Sequence, residues 1–162
     1  MSLASRPQKA CGGGNEMWPF SRRYDTETKI SQLEINAAFD ALPGPRCFAW
    51  PLDSKYLLWS RKDAEHFAWK YGVQTRPYIS SISDCDDSAL DGFAAWRAGA
   101  RRENLPLHPA YGVMWLKCLG AFGGGTHMMK YWLLKEGLYR YEPQTGDFTD
   151  FSTVEKVFAR MG

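Results

Sequence analysis

The sequence predicts a single α+β domain, helices first and an antiparallel sheet after them, on three observations. Up to about residue 100, apolar residues recur at three- and four-residue spacing, the period of an amphipathic helix. Beyond residue 110 the pattern changes to short apolar and aromatic runs separated by glycine turns, which read as strands joined in hairpins. The third is size and composition: 162 residues, 44 % hydrophobic and 23 % charged, suit one globular domain with a core of its own.

The elements follow in chain order. Residues 1–16 carry Cys11-Gly12-Gly13-Gly14 and little apolar content, so a disordered tail is expected ahead of a domain over 17–162. Met17-Trp18-Pro19-Phe20 reads as an alternative start of the natural protein. The spacing of Ile30, Leu33, Ile35, Phe39 and Leu42 predicts a helix over 28–41, stopped by Pro43-Gly44-Pro45. Short strands are expected over 47–51 and 56–59. Ser60 caps a helix over 61–71, with Phe67 and Tyr71 four apart and Gly72 closing it. A loop from Gln74 to Ser83 leads into a helix over about 85–100, where Ala89, Phe93 and Trp96 share a face. Pro106 and Pro109 exclude continued helix. Strands are expected over 111–119, 127–134 and 138–143, with turns at Gly120–Gly125 and Gly137. After a turn at Thr145-Gly146-Asp147, a short strand and a last helix capped by Ser152 follow, with Val154, Val157 and Phe158 facing the core.

Bulk properties exclude several functions. The net charge of +2, from 20 basic and 18 acidic residues, is too balanced to make nucleic acid or an anionic membrane the main partner. No apolar run approaches the ~20 residues of a membrane span. The N-terminus lacks the hydrophobic region of a secretory signal, so a cytoplasmic location is expected. Cys11, Cys47, Cys85 and Cys118 are irregularly spaced, with no Cys-x-x-Cys pair; reduced intracellular thiols are the simplest reading.

Cys85 stands out in Ser83-Asp84-Cys85-Asp86-Asp87, where a helix begins. Free N–H groups and partial positive charge at a helix N-terminus favour a thiolate, while neighbouring aspartates oppose it. A small buried apolar cysteine beside capping acids is the structural alternative. His127 follows Gly123-Gly124-Gly125-Thr126 at a strand start, a position from which an imidazole can take a proton from a thiol. Glu142 and Gln144 share one face of the next strand, and a carboxylate there can hold the imidazole tautomer. The Cys85 N–H is a candidate oxyanion donor, with Gln74 or a serine between Ser80 and Ser83 as a second, and Ser83 and Gln144 as cleft supports. Trp59, Trp69 and Trp132 are groove candidates, with core packing as the alternative for each.

Asp84-Cys85-Asp86-Asp87 before a helix, Gly124-Gly125-Thr126-His127 opening a strand and Tyr141-Glu142-Pro143-Gln144-Thr145-Gly146 on the next together resemble the cysteine-protease-like C-terminal domain of a mushroom agglutinin and its phage-encoded relatives. The resemblance covers roughly residues 45–150. It implies a papain-like α+β fold, with Cys85 as nucleophile, His127 as base and Glu142 as orienting acid. It also implies calcium near the cleft, with Asp84, Asp86 and Asp87 as ligand candidates; the helix dipole is the other reason for those acids. Ser88 stands where the relatives carry an aromatic, and the agglutinin's lectin module has no counterpart here. The leading expectation is a thiol peptidase or amidase acting on a peptide or amide substrate. The alternative is a catalytically inactive, phage-associated structural or binding protein on the same fold. Acyl transfer to an amine is a third.

Overall fold

The structure, a computed structural model, describes residues 24–42, 48–50, 52–72, 85–118, 126–142, 146–152 and 154–162. The expected N-terminal tail, the loop 74–83, Ser83, Asp84 and Gln144 lie outside the described residues. The element order is β1 (Lys29–Ser31), α1 (Gln32–Asp40), β2 (Phe48–Trp50), β3 (Lys55–Leu57), α2 (Arg61–Tyr71), α3 (Cys85–Arg102), β4 (Tyr111–Cys118), β5 (Thr126–Leu134), β6 (Gly137–Tyr141), β7 (Phe148–Thr149) and β8 (Val154–Met161). This is the expected α+β class. No described helix is long and apolar enough to cross a membrane.

β1 and β3 form an antiparallel pair, and six strands form the main sheet in the order β2-β8-β4-β5-β6-β7. Only the β2–β8 pairing is parallel among these. α2 and α3 cover one face of the sheet: Phe67, Ala89, Phe93 and Trp96 pack with Tyr111, Val113, Met128 and Trp132. α1 covers the other, where Ile35 and Phe39 meet Met114, Leu116, Met129 and Tyr131. β5 is therefore buried on both sides, which accounts for its nearly unbroken apolar run. Trp59 and Trp132 are core residues at 0 % exposure, whereas Trp69 is 69 % exposed.

Local signals explain the helix starts. Ser60 accepts from the Asp63 N–H and caps α2. α1 starts later than its apolar spacing predicts. Ser31 and Glu34 form a capping box in which each side chain takes the other's backbone N–H, and Lys29–Ser31 pair instead with Lys55–Leu57. Leu33 consequently faces solvent, 77 % exposed.

The predicted last helix is corrected to a strand. Val154–Met161 form β8, which pairs with β4 on one side and β2 on the other. Its Val154-Val157-Phe158 spacing suits a helix, but a bulge at Trp115/Leu116 of the ladder breaks strict alternation. Val157 is buried and Phe158 is 37 % exposed, so Phe158 does not face the core as expected.

Candidate active site

Three elements meet at the expected residues. Cys85 is the first residue of α3, half-buried with a free thiol. Its Sγ accepts a hydrogen bond from the Met128 N–H at 3.5 Å, a contact made where α3 lies across β5. Met128 directly follows His127, so the thiol sits against the strand backbone beside the imidazole-bearing residue. α3 is held there by Ala89, Phe93 and Trp96, which continue its apolar face down the sheet.

His127 is the second residue of β5 and pairs with Leu116 of β4. It is 7 % exposed and Glu142 8 %. Their side chains meet at 2.9 Å, Nε2 to Oε2. The β5–β6 register, Lys130 opposite Tyr141, brings the start of one strand beside the end of the other. Glu142 lies one residue past β6, whereas the sequence places it within a strand; its position is fixed by a turn instead. The Glu142 N–H donates to the Asp147 carbonyl at 3.0 Å, and the Gly146 N–H donates to the Glu142 carbonyl at 2.8 Å. Gly146 has φ +79°, a left-handed conformation that glycine adopts without a Cβ clash. Gly146 and Asp147 thus hold the Glu142 main chain at the end of β6.

A carboxylate oxygen only accepts, so in this contact the His127 proton sits on Nε2. That leaves Nδ1 as the ring nitrogen on which proton exchange with a thiol would occur. The N-terminus of an 18-residue helix adds partial positive charge at Cys85.

Asp86 and Asp87 occupy the first turn of α3 and are exposed. Among the described residues no cluster of three His, Cys, Asp or Glu side chains is placed to hold a metal, whereas Ca²⁺ takes about six to eight oxygens. The described residues alone do not make a calcium cage, and Asp84 is not among them. The acids do complement the helix dipole.

Sequence reasoning missed Lys130. It is 0 % exposed, with Nζ 3.8 Å from the Trp96 ring centroid and 4.7 Å from that of Tyr141. The available signal was a single lysine inside the apolar run from Met128 to Leu134. A surface pocket of about 460 Å³ lies elsewhere, lined by Arg61, Tyr139, Arg140, Phe148 and Asp150 among others.

No family model matches the chain, and no curated protein matches it either. Solved structures do. One titled "PSL1a-E64 complex" superposes with a TM-score of 0.65 at 19 % identity, over 85 % of this chain and 51 % of that one. A second, the lectin of Polyporus squamosus bound to a human-type influenza-binding epitope, gives 0.62 at 18 % identity, over 85 % of this chain and 50 % of the other. The chain thus spans about half the length of these lectin chains. At this identity the likeness is one of fold: the chain is similar in architecture to part of a mushroom lectin.

Proposed function

We propose that the chain is a papain-like thiol hydrolase of the peptidase or amidase type. The observation that carries this reading is the buried His127–Glu142 contact at 2.9 Å, beside the strand residue whose N–H meets the Cys85 sulfur. Cys85 Sγ attacks the substrate carbonyl carbon as His127 Nδ1 takes the thiol proton. His127 then gives that proton to the leaving amine, and a thioester remains. Water, deprotonated by His127, attacks the thioester; the acid departs and the thiol is restored. Glu142 stabilises the imidazolium throughout, and the Cys85 N–H at the helix start is the proposed donor to the oxyanion. The resemblance also supplies calcium ligation by Asp84, Asp86 and Asp87 as a proposal; no step of this scheme requires it.

The second reading is a binding domain without turnover, and the comparisons by themselves weigh towards it. The fold neighbours are lectins, one titled with a bound sialylated glycan epitope. The pocket at Tyr139 and Phe148, with Arg61, Arg140 and Asp150 at its walls, combines ring faces with charged hydrogen-bonding groups, as polar ligands require.

One experiment separates the two. The protein, Cys85→Ala and His127→Ala are treated with iodoacetamide and with E64, an epoxide that alkylates thiolates, and mass spectrometry locates the adduct. The hydrolase reading expects E64 on Cys85, fast labelling well below the ~8.5 of a free thiol, and loss of both in His127→Ala. Labelling of Cys85 no faster than a free cysteine peptide, together with glycan binding that Tyr139→Ala abolishes, would replace it with the binding reading.

A further inference from the structure

We propose that Lys130 is a positioning residue of the Cys85–His127–Glu142 site: a buried cation that offsets the charge of Glu142 and thereby favours proton loss from the Cys85–His127 pair. The inference rests on the thiol reading above and deepens it.

The placement is specific. Lys130 lies on β5, three residues beyond His127. It pairs with Tyr141, the residue before Glu142, and its ammonium rests over Trp96 of α3, the helix that Cys85 begins. It therefore touches each of the three elements that carry the site. Its Nζ has no hydrogen-bond partner among the described residues and is 0 % exposed. A buried ammonium without hydrogen bonds is costly, and methionine would fill the same space without that cost. The ring faces of Trp96 and Tyr141 recover part of it by attracting a cation.

The surrounding charges leave few alternatives. Opposite Lys130 on β4 stands the apolar Val113. On α3, Asp86, Asp87 and Asp91 are exposed, and Arg97 turns to Asp53 at 3.3 Å. On β5 itself His127 and Tyr131 are the other titratable groups, Tyr131 packing with Phe39 in the opposite cluster, and past β6 the negative charge of Glu142 acts on the ammonium. Burial pushes Lys130 down to about 7 against that attraction. Its charge is thus present in acid and lost as pH rises through this value.

Charge balance sets the sign. When the Cys85–His127 pair holds a thiolate and an imidazolium, Glu142 leaves the cluster with a net negative charge. With a protonated Lys130 the same state is neutral. A nearby cation always favours the deprotonated form of its neighbours, so Lys130 brings the reactive thiolate to lower pH.

The test is the pH profile of iodoacetamide labelling at Cys85 in the wild type, Lys130→Met and Lys130→Arg. Lys130→Met should label about tenfold more slowly below about pH 6.5 and converge on the wild type above about pH 8, where Lys130 itself is neutral. Its melting temperature should be equal or higher, because an unpaired ammonium has left the core. Lys130→Arg, charged throughout, should keep the wild-type rate in acid. Lys130→Gln serves as the neutral variant if Lys130→Met does not fold. Uniformly slow labelling at every pH with a lowered melting temperature would mark a purely structural lysine and overturn the inference. Superimposable profiles would overturn it as well while leaving the thiol reading intact. A wild-type Cys85 no faster than a free thiol would instead remove the thiol reading, and this inference with it.

Discussion

Glu142 offers the sharpest separation between holding the fold together and activating the thiol. Its side chain is 10 % exposed and that of His127 8 %, with 2.9 Å between Nε2 and Oε2. In Glu142→Ala the ring nitrogen loses its acceptor in a site with little access to water. An unsatisfied buried donor costs about 1–3 kcal/mol. In a domain of this size each kcal/mol moves the melting temperature by roughly 2–4 °C, so a loss of about 2 kcal/mol lowers it by about 4–8 °C. Glu142→Gln keeps an oxygen acceptor but no charge, and its melting temperature should fall by less than about 3 °C. The reactivity of Cys85 should fall regardless. A hydrogen bond to a charged partner is worth about 1.5–3 kcal/mol against about 0.5–1.5 for a neutral one. The difference, about 1.4 kcal/mol, is roughly tenfold in the thiolate–imidazolium population. The assays are thermal unfolding and iodoacetamide labelling near neutral pH on the same samples. Wild-type labelling by Glu142→Gln, or a Glu142→Ala melting curve within about 1 °C of wild type, would refute the reasoning.

Three further outcomes are expected. Gly99→Ala gains about 1 kcal/mol of helix propensity, but its Cβ would stand 2.5 Å from Cγ of Tyr71, whose hydroxyl is tied to Glu103. Overpacking should win, with a net loss of about 1–2 kcal/mol in urea unfolding; a more stable variant would show that the two helices separate freely. Asp25 accepts from Lys135 at 2.6 Å and from the Thr28 hydroxyl and N–H, and these bonds hold its carboxyl well below the usual carboxylate range. A depressed carboxyl contributes stability above its unfolded value of about 3.9 and loses that contribution as pH falls. Asp25→Asn should therefore flatten the acid limb of stability against pH, modestly since both partners are partly exposed, and an unchanged limb would contradict it. Melting in Ca²⁺ and in chelator tests the acids at α3: if they act through the helix dipole, the two curves coincide and Asp86→Asn lowers stability slightly in both. A rise in Ca²⁺ that Asp86→Asn abolishes would make them ligands.

Much of the architecture can be read from local signals. Ser60 and Gly72 bound α2 at the expected residues, the Ala89-Phe93-Trp96 face defines α3, and a turn just ahead of Gly137 separates β5 from β6. Caps, turn chemistry and apolar period act over a few residues, so they are written in the chain itself. The candidates Cys85, His127 and Glu142 were legible for the same reason: each stands at an element boundary that a glycine, an aspartate or a turn announces.

Other features depend on partners far along the chain. Residues 154–161 carry apolar spacing that suits a helix, and they are a strand because β4 and β2 offer edges to pair with; the bulge against β4 then turns Val157 inward and Phe158 outward. The His127–Glu142 contact needs the β5–β6 register. Lys130 is buried because helices cover both faces of β5. Pairing edge, register and burial are contacts between distant segments, with free energies set by what packs opposite. A single segment carries no record of its neighbour, which is why the elements and the site candidates were legible and their assembly was not.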